Sequence, residues 1–131
     1  MKVAYFDSSA IVKLERLERE SLALVEYLAD DQIEASTSIV AGVEVSRALK
    51  RVRATTSPSP EPMRGFFLLQ LDPAICDAAG RLESPALRSL DAIHLATALA
   101  INDDLDFITY DDRLAAAARE RGLRVVQPGR T

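Results

Sequence analysis

Short apolar runs alternate along this chain with stretches whose apolar residues recur at helical spacing. Val3 to Phe6 reads as a short buried strand, and Asp7-Ser8-Ser9 as the cap of a short helix over Ala10 to Leu14. Ser21 to Leu28 reads as a second helix, with Leu22, Val25 and Leu28 at helical spacing. Gln32 to Ala35 forms a brief strand, after which Ser36-Thr37-Ser38 predicts the cap of a third helix running to about Val52. Ala54 to Pro62 carries three prolines and reads as a flexible loop. Phe66 to Leu71 is the next strand, and Asp72-Pro73 opens a helix with aspartate at the cap and proline at the first helical position. Pro85 breaks the chain. Ser89 or Leu90 starts a helix over Asp91 to Ile101, apolar on nearly every side and therefore expected to be central. Asp106 to Thr109 is a strand, Asp111 to Arg121 an alanine-rich helix closed by Gly122, and Arg124 to Val126 the last strand before Pro128-Gly129.

Strands alternating with helices predict an α/β protein: a parallel sheet covered on both faces, a three-layer α/β/α sandwich. In such sheets ligands bind beyond the carboxyl ends of the strands, where strand order reverses. Asp7 follows the first strand directly and Asp111 lies two residues after Thr109, so both are expected at that edge. Composition adds bounds. At 131 residues, the chain is expected to form one domain spanning 1–131 with a core that needs no staples. The lone Cys76 excludes an internal disulfide, and no run has the length of a signal-peptide core or a membrane span. The expectation is a soluble, cytoplasmic protein with no membrane partner.

A net charge of −4 speaks against a general nucleic-acid binder, but the distribution changes the picture. Arg47, Lys50, Arg51, Arg53 and Arg64 fall in one short region against Glu61 alone. That stretch reads either as a solvated helix face or as a guide for a phosphate backbone, with Arg47, Lys50 and Arg51 as the candidate contacts.

Four carboxylates stand out: Asp7, Glu44, Asp91 and Asp111. Each has an ordinary structural explanation. Asp7 and Asp111 suit helix caps, and Asp91 suits the first turn of a helix, where its charge meets the positive end of the dipole. Glu44 lies mid-helix on a stripe with Val40, Arg47 and Arg51, and a surface pair with Arg47 accounts for it at a few tenths of a kcal/mol. Jointly they read differently. Two carboxylates ~5 Å apart repel by roughly 3 kcal/mol at an effective dielectric of ~20, so a cluster of them calls for a cation. Oxygen ligands without a cysteine or histidine pattern point to Mg²⁺ or Mn²⁺. His94 lies within Ala92-Ile93-His94-Leu95-Ala96 and is read as a packed, hydrogen-bonded residue.

Four segments carry a family resemblance. Val3-Ala4-Tyr5-Phe6-Asp7-Ser8-Ser9-Ala10-Ile11-Val12-Lys13 resembles the opening of PIN-domain nucleases. Val43-Glu44-Val45-Ser46-Arg47-Ala48-Leu49 resembles their second acidic motif. Arg88-Ser89-Leu90-Asp91-Ala92-Ile93-His94-Leu95-Ala96-Thr97-Ala98 resembles the third and is the most specific, and Phe107-Ile108-Thr109-Tyr110-Asp111-Asp112-Arg113-Leu114 resembles the fourth. The order is right, the match spans nearly the whole chain, and the size is most similar to the VapC-type toxins of bacterial toxin–antitoxin pairs. The resemblance implies a five-stranded parallel sheet, a homodimer, and Asp7, Glu44, Asp91 and Asp111 as a catalytic and metal-binding quartet. It further implies Ser9 and Thr109 as hydroxyls supporting the site, an RNA substrate, and a VapB-type antitoxin whose tail crosses the groove. The chain departs from many relatives at Ala54 to Gly65, proline-rich where they carry a fuller helix.

The expected reaction is Mg²⁺-dependent hydrolysis of an RNA phosphodiester by an activated water. That chemistry has no need of the 2′-hydroxyl, so RNA follows from the resemblance alone. Rival readings are a catalytically silent PIN-like binding module and a Mg²⁺-binding receiver or phosphatase-like domain. The receiver needs a lysine late in the chain, and none follows Lys50; the phosphatase expects an aspartate where Ser9 stands.

Overall fold

The computed structural model describes residues 1–52, 63–101 and 104–130. The loop expected over Ala54 to Pro62 therefore lies outside the described residues, as do Arg53 and Glu61 of the basic stretch. In chain order the elements are β1 (Lys2–Phe6), α1 (Ser8–Glu15), α2 (Ser21–Leu28), β2 (Ile33–Ser38), α3 (Ala41–Arg51) and β3 (Phe67–Leu69). There follow α4 (Pro73–Arg81), α5 (Ser89–Leu99), β4 (Leu105–Ile108), α6 (Asp112–Glu120) and β5 (Arg124–Val126).

The five strands form one parallel sheet in the order β3-β2-β1-β4-β5. β1 is central because every side chain from Ala4 to Phe6 finds cover: alternate residues point to opposite faces. Ala4 and Phe6 pack on α1, α2 and α3 through Ile11, Leu24 and Val45. Tyr5, in register with Phe107 on β4, packs on α5 and α6 through Leu95 and Leu114. These two cores make the three-layer sandwich. Strand order reverses at β1, with β2 on one flank and β4 on the other, so the ends of β1 and β4 border the crevice where such sheets bind ligands.

Local sequence explains most boundaries. The Asp7 carboxylate accepts from the Ala10 amide, so α1 opens at Ser8. Asp72 caps α4 through Ile75, and Gly122 closes α6 at a φ of +84°, a left-handed value that a side chain would strain. Two expectations are corrected. Ser36-Thr37-Ser38 does not cap the third helix; it extends β2, and Val40 precedes α3 with no side-chain cap. All three hydroxyls are buried; Thr37 Oγ1 donates to the neighbouring strand's Phe6 O at 2.7 Å, while Ser38 Oγ accepts from the Val40 amide, ahead of the helix. The buried face of α2 is Ser21 and Leu24, whereas Leu22 and Val25 are exposed.

Beyond β5 the segment through Pro128-Gly129 returns against the start of α2 and the loop after β4. Gln127 Nε2 donates to Thr109 O at 3.0 Å, and the Tyr110 hydroxyl donates to Pro128 O at 2.8 Å. Arg130 reaches Glu20 and Asp112, and its guanidinium and the Lys13 ammonium both lie over the Tyr110 ring. At the opposite end of the sheet, the buried Asp106 is held by Arg124, the Tyr27 hydroxyl and Lys2. That cluster is a neutralised structural one, far along the strands from the crevice.

Candidate active site

Asp7, Glu44, Asp91 and Asp111 line one open cavity of about 660 Å³ at the carboxyl end of the sheet. Each comes from a different element. Asp7 stands at the end of β1 and start of α1, Glu44 in the first turn of α3, Asp91 in the first turn of α5, and Asp111 at the cap of α6. The ordinary explanations of three of them also hold. Asp7 and Asp111 do cap their helices, and Asp91 accepts from the Arg88 amide at 3.4 Å. Arginine has no acceptor to offer in return, so this is only half of a capping box. The surface pair expected between Glu44 and Arg47 does not form. Glu44 Oε1 instead lies 2.6 Å from His94 Nε2.

Asp7 is buried and densely bonded. Ser9 Oγ donates to it at 2.7 Å, Thr109 Oγ1 at 2.7 Å and the Ala10 amide at 3.1 Å. Thr109 Oγ1 also accepts from the Asp111 amide at 3.1 Å, so one hydroxyl ties the two acids' loops together. Burial pushes the Asp7 carboxyl above the usual carboxylate range, against the opposing pull of the Thr109 and Ser9 hydroxyls. Asp91 is pushed up too, first by burial and then by the charges of Asp111 and Glu44. The acids thus feel one another. Even so, among the described residues no three acidic, histidine or cysteine side chains stand close enough to cage an ion as they are.

The donor set nevertheless suits a hard divalent cation: carboxylates with hydroxyl support, and neither thiol nor imidazole free to compete. Cys76 is exposed on α4 and lines a different cavity. His94 is buried with both ring nitrogens engaged. Of the candidate backbone contacts, Arg47 and Arg51 line the acidic cavity, whereas Lys50 is exposed and does not. Arg88, which the sequence reading left unassigned, lines it as well. Its place directly before the α5 helix start was the available signal.

A family model described as PIN domain matches residues 4–120. The chain belongs to the PIN-domain family. It is 42% identical to Ribonuclease VapC35 of Mycobacterium tuberculosis (strain CDC 1551 / Oshkosh), over 95% of this chain and 96% of that protein. It is 42% identical to Ribonuclease VapC46 of Mycobacterium tuberculosis (strain ATCC 25618 / H37Rv), over 98% and 99% of the two chains. Among solved structures, a toxin–antitoxin complex from Klebsiella pneumoniae superposes with a TM-score of 0.65 at 23% identity, covering 94% of this chain and 95% of that one. At that identity the likeness shows the fold. The parallel sheet between helical layers expected from the alternation of elements, with the five strands that the family resemblance implied, is the one found.

Proposed function

We propose that this protein is a metal-dependent endoribonuclease, the toxin of a VapBC-type toxin–antitoxin pair, acting in the cytoplasm. The convergence of four acids from four separate elements on one cavity, rimmed by Arg47, Arg51 and Arg88, carries the reading. The VapC ribonucleases it resembles along almost their full length support RNA as substrate and a VapB-type antitoxin as partner. The whole chain acts as a single PIN domain and pairs as a homodimer.

Asp7, Glu44, Asp91 and Asp111 would hold Mg²⁺, with Mn²⁺ as the substitute. When bound, the ion supplies Lewis-acid chemistry, acidifying water and offsetting charge on the phosphate. The protein's own share is orientation. Ser9 and Thr109 fix both oxygens of Asp7, and Thr109 keeps the Asp111 loop against it. Arg47 and Arg51 draw the anionic backbone toward a pocket whose acids would otherwise repel it. Water attacks phosphorus, one P–O bond breaks, and the leaving oxygen takes a proton.

Asp91→Asn keeps the shape of the side chain and removes its charge. Mg²⁺-dependent cleavage, followed by sequencing RNA ends after induced expression, is expected to fall by on the order of 10²-fold or more with the fold intact. Cleavage equal to the parent's would overturn the assignment of Asp91 to the catalytic quartet, and a parent that binds RNA without cleaving it would be a binding module.

A further inference from the structure

His94 is wholly buried in α5, yet it is bonded at both ends of its ring. Nε2 lies 2.6 Å from Glu44 Oε1, and Nδ1 lies 2.8 Å from the Tyr5 hydroxyl. An ionised carboxylate has only acceptors, so Nε2 carries a proton and donates to Glu44. The Tyr5 hydroxyl then donates to Nδ1, and a single neutral tautomer satisfies both contacts. Tyr5 is itself immobile: it is buried in β1 and stacked on Phe107, with ring centroids 5.6 Å apart and planes 4° from parallel. The imidazole is therefore anchored to the sheet, and Glu44 is anchored to the imidazole.

This chain of bonds joins parts of the fold that do not otherwise share a core. α3, which carries Glu44, buries one face of the sheet, and α5 buries the other. His94 lies one turn after Asp91 on the same side of α5. One helix thus supplies an acid to the cavity and the hook that holds another. Glu44 Oε2 accepts nothing from the described residues, so it is the oxygen left for the cavity.

We propose that His94 is a positioning residue: it clamps Glu44 through Oε1, sets the separation of Glu44 from Asp91, and so presents Oε2 to a divalent cation. Tyr5 fixes the imidazole that does so. The inference rests on the reading of Glu44 as a metal ligand.

The test uses the full chain and Mn²⁺ alone, with binding read from the EPR signal of the free ion and folding from thermal melts. His94→Gln keeps an N–H donor at the depth of Nε2, whereas His94→Asn places its amide at the depth of Nδ1, short of Glu44. His94→Asn is expected to weaken Mn²⁺ binding about 10- to 100-fold, the usual cost of losing a ligand's supporting partner, and His94→Gln to restore it to within about threefold of the parent. Tyr5→Phe falls between them. A histidine that merely fills the core makes the two amides equivalent. Equal Mn²⁺ affinity in His94→Asn and the parent, or equal losses in His94→Asn and His94→Gln, overturns the proposal. Glu44→Gln separates the layers of the argument. If it binds Mn²⁺ as the parent does, Glu44 is no ligand and the underlying reading fails. If it binds weakly while both His94 variants bind normally, only the positioning role fails.

Discussion

Asp7 shows how one residue can cap a helix and line the proposed metal site at a cost to stability. Its hydrogen bonds to Ser9, Thr109 and the Ala10 amide favour the charged form, but burial outweighs them and raises its protonation range. The sign of the resulting pH dependence follows from linkage. The native state holds a proton that the unfolded chain releases near 3.8, so Asp7's contribution is most favourable below that value. It declines as pH rises from there through the raised native range. In chelator, Asp7→Asn is expected to be more stable than the parent at neutral pH, by about 3 °C or more in Tm for each kcal/mol relieved. Urea denaturation across a pH series should show the advantage of Asp7→Asn growing over that window; a constant difference would refute the account. Added Mg²⁺ is expected to reverse the ranking, because only the parent gains the stabilisation that binding confers.

At the scale of elements, the segment after β5 braces the loop that carries Asp111. Gln127 bonds the Thr109 carbonyl, Tyr110 bonds Pro128, and Arg130 closes on Glu20. Lys13 also bonds Glu20 and, foremost among several causes, holds its carboxyl below the usual range. Gly129 permits this return. Its φ is +88°, and a Cβ there would meet the Glu20 backbone at 3.1 Å and Ala23 at 3.2 Å. Gly129→Ala is therefore expected to destabilise the chain by roughly 1–3 kcal/mol, the cost of a left-handed non-glycine residue combined with crowding. A shift in the urea midpoint at unchanged slope would measure it, and an unaltered midpoint would show that the segment lifts away freely. The Ser36-Thr37-Ser38 run teaches the complementary lesson. Hydroxyl residues before a helix read as a cap, but here Thr37 reaches the neighbouring strand's Phe6 carbonyl, a partner distant in sequence.

For the whole molecule, the net charge of −4 sets the problem of bringing an anion to an acidic pocket. Arg47 and Arg51, one turn apart on α3, line the cavity and would meet that anion in the proposed function, whereas Lys50 is exposed and does not line it. Binding of single-stranded RNA, measured in an Asp91→Asn background to prevent cleavage, is expected to weaken with salt. Replacing both arginines by alanine should lower the slope of log K against log salt by about 1.4, near 0.7 per phosphate contact. Lys50→Ala should leave that slope unchanged. An equal loss from all three would mean that charge acts from the surface at large and not from the cavity.

The sequence by itself determined the alternation of strands and helices, because apolar spacing and cap residues such as Asp72 and Gly122 act within a few positions. It also named the four acids, each beside a local boundary or on an apolar stripe. Only the tertiary structure decided their company. That Glu44 answers to His94 and not to Arg47, that Thr109 couples Asp7 to the Asp111 loop, and that Lys50 stands apart all depend on contacts between distant segments. Periodicity records which side of a helix is apolar. Which polar atom waits across the sheet edge is fixed by the packing of layers, which no local pattern encodes.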